Sequence, residues 1–456
     1  MMSTLATPRG YPDVVLIGGP SFWFHELGGL PPRRPALAGP LTCDVAIVGA
    51  GYTGLWTAYY LKRAQPDLHV VVLEREVAGY GASGRNGGWV AGEVSIFHDD
   101  ATTAAIRATV DEIGEVVAAE RIACAFHKGG ALAVATSELQ LGRLRDHPLA
   151  RGAAFLDAEA LAERVRIAGA TGAVFDPHVA RVQPAALARG LADAVERLGV
   201  PIYEGTDVTR IDPGAAQTIA GTVRARWIVR ATEGYTPSLP GLGRTLIPLR
   251  STIIVTEPLP DHAWAEVGWD GAETIADAAL SYAYVQRTAD GRIAIGGRGR
   301  PYYWRSGHDA HGEVEAWAVR RLTGKLHELW PAARGVRIAH AWSGVFAAQR
   351  DWAPTVAADP STGLAWAGGW VGEGVAAANL GGRILCDLIG GVPSDLTALP
   401  MVNRRQPRRW EPEPLRMIGT HLVYDLVDRA DAAEQRTGRA SRLYPIAKLI
   451  SGREAE

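Results

Sequence analysis

Lysine is nearly missing from this chain: Lys62, Lys128, Lys325 and Lys448 stand alone among 47 basic residues, the rest being arginine. Against 49 acidic residues the net charge is only −2, so neither a nucleic-acid backbone nor an anionic membrane has a general hold on the chain. The arginine bias itself reads as codon composition. Cysteine is scarce too. Cys43, Cys124 and Cys386 are widely spaced, odd in number and set among apolar residues, which speaks for a reducing compartment and against a disulfide framework. No apolar run reaches the roughly 18 residues of a membrane span, and the first residues show no basic-then-apolar signal pattern. A cytoplasmic location is expected. The 12 histidines are scattered, with no H-x-x-x-H spacing or cysteine pair, so no metal site is expected. Internal repeats and low-complexity segments are absent as well.

What is abundant is glycine, and its placement is informative. Asp44 to Val48 reads as a short buried strand, followed by Gly49, Gly51 and Gly54 in G-x-G-x-x-G spacing with Tyr52 and Thr53 between them. Leu55 to Arg63 continues as a helix, and the apolar run His69 to Leu73 delivers Glu74. Gly49 permits the tight turn, Gly51 lets a pyrophosphate approach, and Gly54 lets helix and strand pack closely. The helix N-terminus offers N–H groups and a positive dipole end to phosphate. Glu74 can accept from a ribose and disfavours a 2′-phosphate. Strand, glycines, helix, second strand and acid in that order indicate a dinucleotide.

A second glycine-dense stretch, Gly79-Tyr-Gly-Ala-Ser-Gly-Arg-Asn-Gly-Gly88, selects among dinucleotides. Ser83, Arg85, Asn86, Gly87 and Gly88 make a cradle of small residues and donors that suits an extended, bulky ligand. With this loop the chain resembles the D-amino-acid-oxidase/sarcosine-oxidase superfamily of FAD-dependent oxidoreductases, and within it the gamma-glutamylputrescine-oxidase-like branch. The resemblance runs from about Ser21 to Leu399. It implies an α/β fold in which a Rossmann-like FAD-binding domain is interleaved with a discontinuous α+β substrate domain on a mainly antiparallel sheet. It further implies a backbone contact to the adenine near Val208. Trp227 to Thr236 resembles the family's strand followed by A-T-x-G-Y, placing Thr232 at the cofactor. Glu233 replaces the usual Asn, which weakens any side-chain role there. Gly369-Trp-Val-Gly-Glu-Gly-Val375 resembles the C-terminal glycine motif at the flavin pyrimidine edge, through Gly369, Gly372, Gly374 and Val375. Glu373 stands where relatives often carry His, and either meets a substrate cation or points outward.

The expected organisation is an N-terminal arm over 1–40, FAD-binding segments over 41–97, 184–240 and 336–400, and substrate-domain segments over 98–183 and 241–335. A C-terminal helical extension covers 401–456. Val14 to Gly19 imitates a nucleotide-binding strand, but Pro20 keeps it from opening a helix. Pro184 to Leu198 has the apolar spacing of an amphipathic helix, and Ile338 to Val345 is read as re-entering the FAD domain. In the tail, Leu415, Ile418, Leu422, Leu426 and Ala430 form a helical apolar stripe that docks on the chain's own body or on a twin subunit, as in a homodimer.

A flavin supplies the redox chemistry, and protein side chains bind, orient and desolvate. The resemblance implies oxidation of a C–N bond of an amine or amino acid by hydride transfer to flavin N5, with O2 as acceptor. A dehydrogenase or demethylase with another acceptor, and a flavin-binding subunit without turnover, stay open. The missing His/Asp/Ser constellation does not argue against an enzyme, because a neutral amine needs no strong base. Tyr284 and Arg298 are the candidate substrate residues, with Tyr282 and Arg287 behind them, and Arg298 would clamp a carboxylate. Trp342 and Trp370 are candidate pocket walls. The loop lacks His and Trp342 to Pro354 lacks Cys, so FAD is expected to bind non-covalently. The place where some relatives carry a lysine beside N5 falls near Ala294.

Overall fold

The computed structural model describes residues 14–94, 96–146, 152–307 and 311–453. The fingerprint forms as its residues dictate. Leu41–Val48 is a strand whose last four residues are buried, and Tyr52–Ala64 is the helix. The strand lies between two parallel partners, with Val45 opposite Val70 on one side and Trp227 opposite Val45 on the other. Strand order in this eight-stranded sheet is 208–212, 215–218, 221–230, 41–48, 70–73 and 202–203, with 364–368 also paired to 221–230 and 355–359 paired to 364–368. The Gly374–Gly390 helix packs on the fingerprint helix because Gly382 leaves room. A Cβ there would lie 2.8 Å from the Trp56 Cβ and 2.9 Å from the Thr57 nitrogen. Two distant glycine motifs are thereby brought side by side.

The second layer is a nine-stranded, mainly antiparallel sheet in the order 14–17, 338–348, 247–256, 293–298, 284–287, 274–277, 131–135, 172–176 and 154–157. Val14–Ile17 is a strand, but not of the parallel sheet: it pairs parallel to Ile338–Ala341 at the edge of this one. One reading from sequence is corrected here: Ile338–Ala348 does not rejoin the parallel sheet. It runs antiparallel along all of Ile247–Thr256, from Ala348 opposite Ile247 to Ile338 opposite Thr256. That ladder is between segments remote in sequence, so no local pattern reveals it. The α/β class and the antiparallel second sheet are as expected.

Helix ends follow their capping chemistry. Asp99 accepts from the Thr102 N–H at 2.9 Å to start Asp100–Ala119. Gln183 does the same for Ala186 at 2.7 Å, with Pro184 in the first turn of Pro184–Arg197. Both sites leave fewer orphan donors. The tail forms two helices, Leu415–Thr437 and Leu443–Ser451. The expected stripe divides. Leu415, Ile418 and Leu422 are 59%, 58% and 43% exposed, whereas Ala430 is fully buried. The body is met by the C-terminal end of the stripe, Leu426 and Ala430, together with Val423 and Val427, packed on Leu280 and Ala447. Among the described residues no helix is long and apolar enough to cross a membrane.

Candidate active site

A cavity of about 800 Å³ is lined both by the parallel sheet's glycine motifs and by the antiparallel sheet. Gly49, Gly51, Tyr52, Thr53 and Glu74 line it from the fingerprint; Ser83, Arg85, Asn86 and Gly87 from the following loop; Val208 and Thr232 from later strands. Gly372, Glu373, Gly374 and Val375 line it too, as do Tyr284 and Arg298. Residues singled out separately in sequence therefore share one space.

The glycines are there for contact reasons. Gly49 has φ +105°, and a Cβ would sit 2.6 Å from the Ala231 carbonyl oxygen. Gly54 does not line the cavity; its Cβ would be 2.0 Å from the Gly49 carbonyl oxygen and 3.1 Å from Ile47 Cγ2. Its role is close packing of helix on strand. Gly88 also stays outside the lining, where a Cβ would meet the Gln286 amide at 2.2 Å. Gln286 in turn donates to the Gly87 carbonyl at 2.8 Å, tying the loop to the antiparallel sheet.

The polar residues of the loop are largely spent on shaping it. Ser83 Oγ accepts from the Tyr52 N–H at 2.9 Å, taking one of the helix N-terminal donors. Asn86 donates to the carbonyls of Ala82 and Ser83 and accepts from the Gly88 N–H. Arg85 is buried, donates from Nε to the Tyr80 carbonyl at 2.8 Å and lies 4.5 Å over the Tyr80 ring. Glu74 accepts from the Ala50 and Glu76 N–H groups, each at 2.8 Å. Burial raises its carboxyl above the ordinary range, against those two bonds.

Glu233 corrects the expectation of a weakened side-chain role. Its carboxylate accepts from the N–H groups of Gly369 at 2.9 Å and of Trp370 and Ala347 at 3.3 Å. It holds the C-terminal glycine turn against the end of strand Ile338–Ala348, and it commits the Gly369 donor that the motif reading assigned to the flavin. Gly369 is accordingly absent from the lining. Burial pushes the Glu233 carboxyl up to about 7, although these N–H groups and Arg230 pull the other way. A folded-state pKa above the unfolded one means that this group's stabilisation is full below about pH 4.5 and is lost as pH rises through about 7. Glu233→Gln, which has no proton to release, is expected to flatten the fall in Tm between pH 5 and 8. Thermal melts across that range check it, and an unchanged slope refutes the assignment.

Tyr284 and Arg298 reach the cavity, and two other candidates do not. The Tyr284 hydroxyl shares a 2.7 Å hydrogen bond with Ser251 Oγ, and burial raises its pKa. Its ring fills space kept open by Gly87 and Gly296, where Cβ atoms would approach within 2.6 and 2.2 Å. Arg298 has a buried Nη1 without a hydrogen-bond partner, and its Nη2 reaches the Leu280 carbonyl only at 3.5 Å. Trp342 lies in the core behind the loop, its indole donating to the Arg85 carbonyl at 2.9 Å and packed on Phe22, Trp23 and His340. Arg287 is turned to Trp269, Asp270 and the Trp264 face instead. Along strand Tyr284–Arg287, Tyr284 and Gln286 share one face, and Arg287, the next residue, points to the opposite one. Trp370 does line the cavity and donates to Thr53 Oγ1 at 3.1 Å. Tyr282 lines it while 48% exposed. Ala294 is buried beside Trp23 and Trp342, away from the lining. Glu373 starts the Gly374–Gly390 helix without a side-chain capping bond. Sequence reasoning expected a helical tail but gave it no part in the site: Tyr424, Tyr444 and Lys448 also line the cavity.

A glycine-built dinucleotide cradle that opens directly onto an antiparallel substrate sheet defines a flavin-dependent oxidoreductase of the two-domain kind. The comparisons name it more closely. The family model for FAD dependent oxidoreductase (DAO) matches residues 44–388, and the chain belongs to this family. Gamma-glutamylputrescine oxidoreductase of Escherichia coli is 31% identical over 373 residues, 77% of this chain and 84% of that protein. Glycine oxidase of Bacillus licheniformis is 24% identical over 77% of this chain and 94% of its own length. Among solved structures, glycine oxidase from Geobacillus kaustophilus shares the fold with a TM-score of 0.67 at 21% identity, covering 80% of this chain and 100% of that one. An L-amino acid deaminase from Proteus myxofaciens, solved in complex with anthranilate, has a TM-score of 0.68 at 15% identity, covering 83% and 96%.

The residues present fit the FAD that this family uses. The cradle is kept open by glycines whose Cβ atoms would collide with backbone, and the 800 Å³ cavity continues from Glu74 and Val208 to Tyr284 and Arg298.

Proposed function

We propose that this protein oxidises the C–N bond of an amine or amino acid, giving an imine that water hydrolyses, with O2 reduced to H2O2. The observation that carries the reading is the shared cavity: both glycine motifs face the same space as Tyr284 and Arg298, whose one hydrogen bond among the described residues is the 3.5 Å contact to the Leu280 carbonyl. Bound FAD supplies the acceptor for the hydride, two electrons and one proton, that leaves the substrate carbon. Gly49, Gly51, Glu74, Val208 and Thr232 hold the adenosine and pyrophosphate, while Gly372, Gly374 and Val375 face the flavin end. There the N-terminus of the Gly374–Gly390 helix favours negative charge. Arg298 orients a substrate carboxylate, a charge-assisted bond of the strong kind. Glu373 lines the same space and faces the substrate nitrogen. No cysteine or histidine lines the cavity among the described residues, and burial lifts Cys43 to about 12 and Cys124 and Cys386 to about 11. The thiols are thus unreactive, and FAD is held without a covalent bond.

Anaerobic titration of the yellow protein tests this. Amino acids and the matching amines lacking the carboxylate are added in pairs, and bleaching of the flavin bands is followed. Bleaching by amino acids at lower concentration than by their amine partners is expected, as is release of the flavin into the supernatant by acid precipitation. Recolouring on admission of air should be complete within a turnover. A protein that stays yellow with every amine and amino acid contradicts C–N chemistry, and slow recolouring moves the assignment from oxidase to dehydrogenase.

A further inference from the structure

The family match ends at residue 388, yet the chain beyond it is built into the cavity. The two tail helices are pinned to the substrate-facing sheet and its loops. Asp431 accepts from the Leu280 N–H at 2.9 Å, Asp428 from Ser281 Oγ at 2.8 Å, and Glu434 pairs with Arg143 at 2.6 Å. At the far end Trp352 Nε1 and Arg350 Nη1 donate to the Ser451 carbonyl at 3.0 and 2.7 Å. With Val427, Ala430 and Ala447 buried against Leu280, this is a docked wall.

Within that wall Tyr424 meets the substrate candidate directly. The Arg298 guanidinium lies 4.8 Å over the Tyr424 ring. No carboxylate pairs with Arg298 among the described residues, and its one hydrogen bond is the long contact to the Leu280 carbonyl. Leu280 is itself held by Asp431. Arg298 is thus oriented from two points on one helix while an N–H stays unspent. A guanidinium stacked on an aromatic face keeps its in-plane donors free for a planar anion. The same wall carries Lys448, whose Nζ lies 5.1 Å over Tyr444 and has no carboxylate partner among the described residues. Both cations reinforce attraction for a negatively charged substrate.

We propose that the 415–451 helix pair is part of the substrate site, with Tyr424 the residue that positions Arg298 for a substrate carboxylate. The proposal rests on the reading of Arg298 as the carboxylate clamp and assigns the clamp's geometry to a segment outside the matched family region. Binding of acetate to the full-length FAD-loaded protein, read from perturbation of the flavin absorption bands, separates the two. Tyr424→Ala is expected to weaken acetate binding by about 3- to 30-fold. Tyr424→Phe, which keeps the ring, should bind like the unaltered protein. In an Arg298→Ala background, Tyr424→Ala should have no further effect. A purely structural role for Tyr424 would instead lower affinity equally in both backgrounds. Retained flavin colour and Tm show that the variants are folded, and Tyr424→Met replaces the alanine variant in the same comparison if that one loses flavin. Undiminished acetate binding in Tyr424→Ala, together with its loss in Arg298→Ala, overturns the proposal and leaves the clamp standing. Undiminished binding in Arg298→Ala, or no perturbation by acetate at all, overturns both.

Discussion

Gly54→Ala is expected to yield a colourless protein. The added Cβ would lie 2.0 Å from the Gly49 carbonyl oxygen, 3.1 Å from Ile47 Cγ2 and 3.2 Å from the Gly49 carbonyl carbon. The closest of these is backbone, so no rotamer change relieves it. The Tyr52–Ala64 helix has to move off the Leu41–Val48 strand, and with it go the Gly51 approach, the Tyr52 N–H and the Ser83 bond that shapes the loop. Overpacking of this kind costs about 1–3 kcal/mol, and a displaced phosphate cradle loses its charge-assisted bonds in addition. At about 1.4 kcal/mol per factor of ten, FAD affinity should fall by roughly 100-fold or more. Absorbance of the purified protein and fluorescence titration with FAD measure this. Gly419→Ala is the control: it sits in the Leu415–Thr437 helix with nothing within 4 Å of the new methyl, and should stay yellow. A yellow Gly54→Ala protein with unaltered affinity would mean that the fingerprint does not hold the cofactor.

The contrast between those two glycines shows what sequence can carry. Gly54 is legible because its reason is local: strand, turn and helix are contiguous, and the spacing itself encodes the close approach. The same holds for the amphipathic helix that opens at Pro184. Glu233 shows the opposite case. Its chemical identity is plain in the sequence, but its partners are the Gly369 and Ala347 amides, more than a hundred residues away, so its role as a clamp on the second glycine motif had no signature. Trp342 has the composition of a pocket wall, and only the three-dimensional layering shows it packed behind the loop. The tail is the hardest case. Its apolar stripe is real, yet exposed at Leu415, Ile418 and Leu422, while the residues the tail brings to the cavity, Tyr424 and Lys448, lie outside that stripe. Polar residues that serve a site break hydrophobic periodicity, and periodicity is what the sequence reading had to rely on.

Glu204→Ala is expected to destabilise the protein by about 3–5 kcal/mol. Its side chain is fully buried where Arg34 of the N-terminal arm meets the end of strand Ile202–Tyr203. Its oxygens accept from the Ala78 and Arg34 N–H groups at 2.8 Å each, from Arg34 Nη1 at 3.0 Å and from Arg189 Nη1 at 2.9 Å. Removing it leaves two backbone donors unpaired, each a loss of about 1–3 kcal/mol. Arg34 would be left to Glu196 and Asp193, whose side chains are 40% and 57% exposed and compensate weakly. The pH dependence runs opposite to that of Glu233. Burial opposes ionisation of Glu204, but the two N–H bonds and two guanidiniums outweigh it and hold its carboxyl below the ordinary range. A depressed folded-state pKa gives stabilisation that is full above about pH 4.5 and is lost as pH falls further. The variant should therefore be much less stable than the unaltered protein at pH 7, with the gap narrowing in acid. Urea unfolding at pH 7 and pH 4 measures both. A gap of less than 1 kcal/mol at pH 7, or one that stays constant into acid, would show that the Arg34–Glu204–Arg189 network does not anchor this corner of the fold.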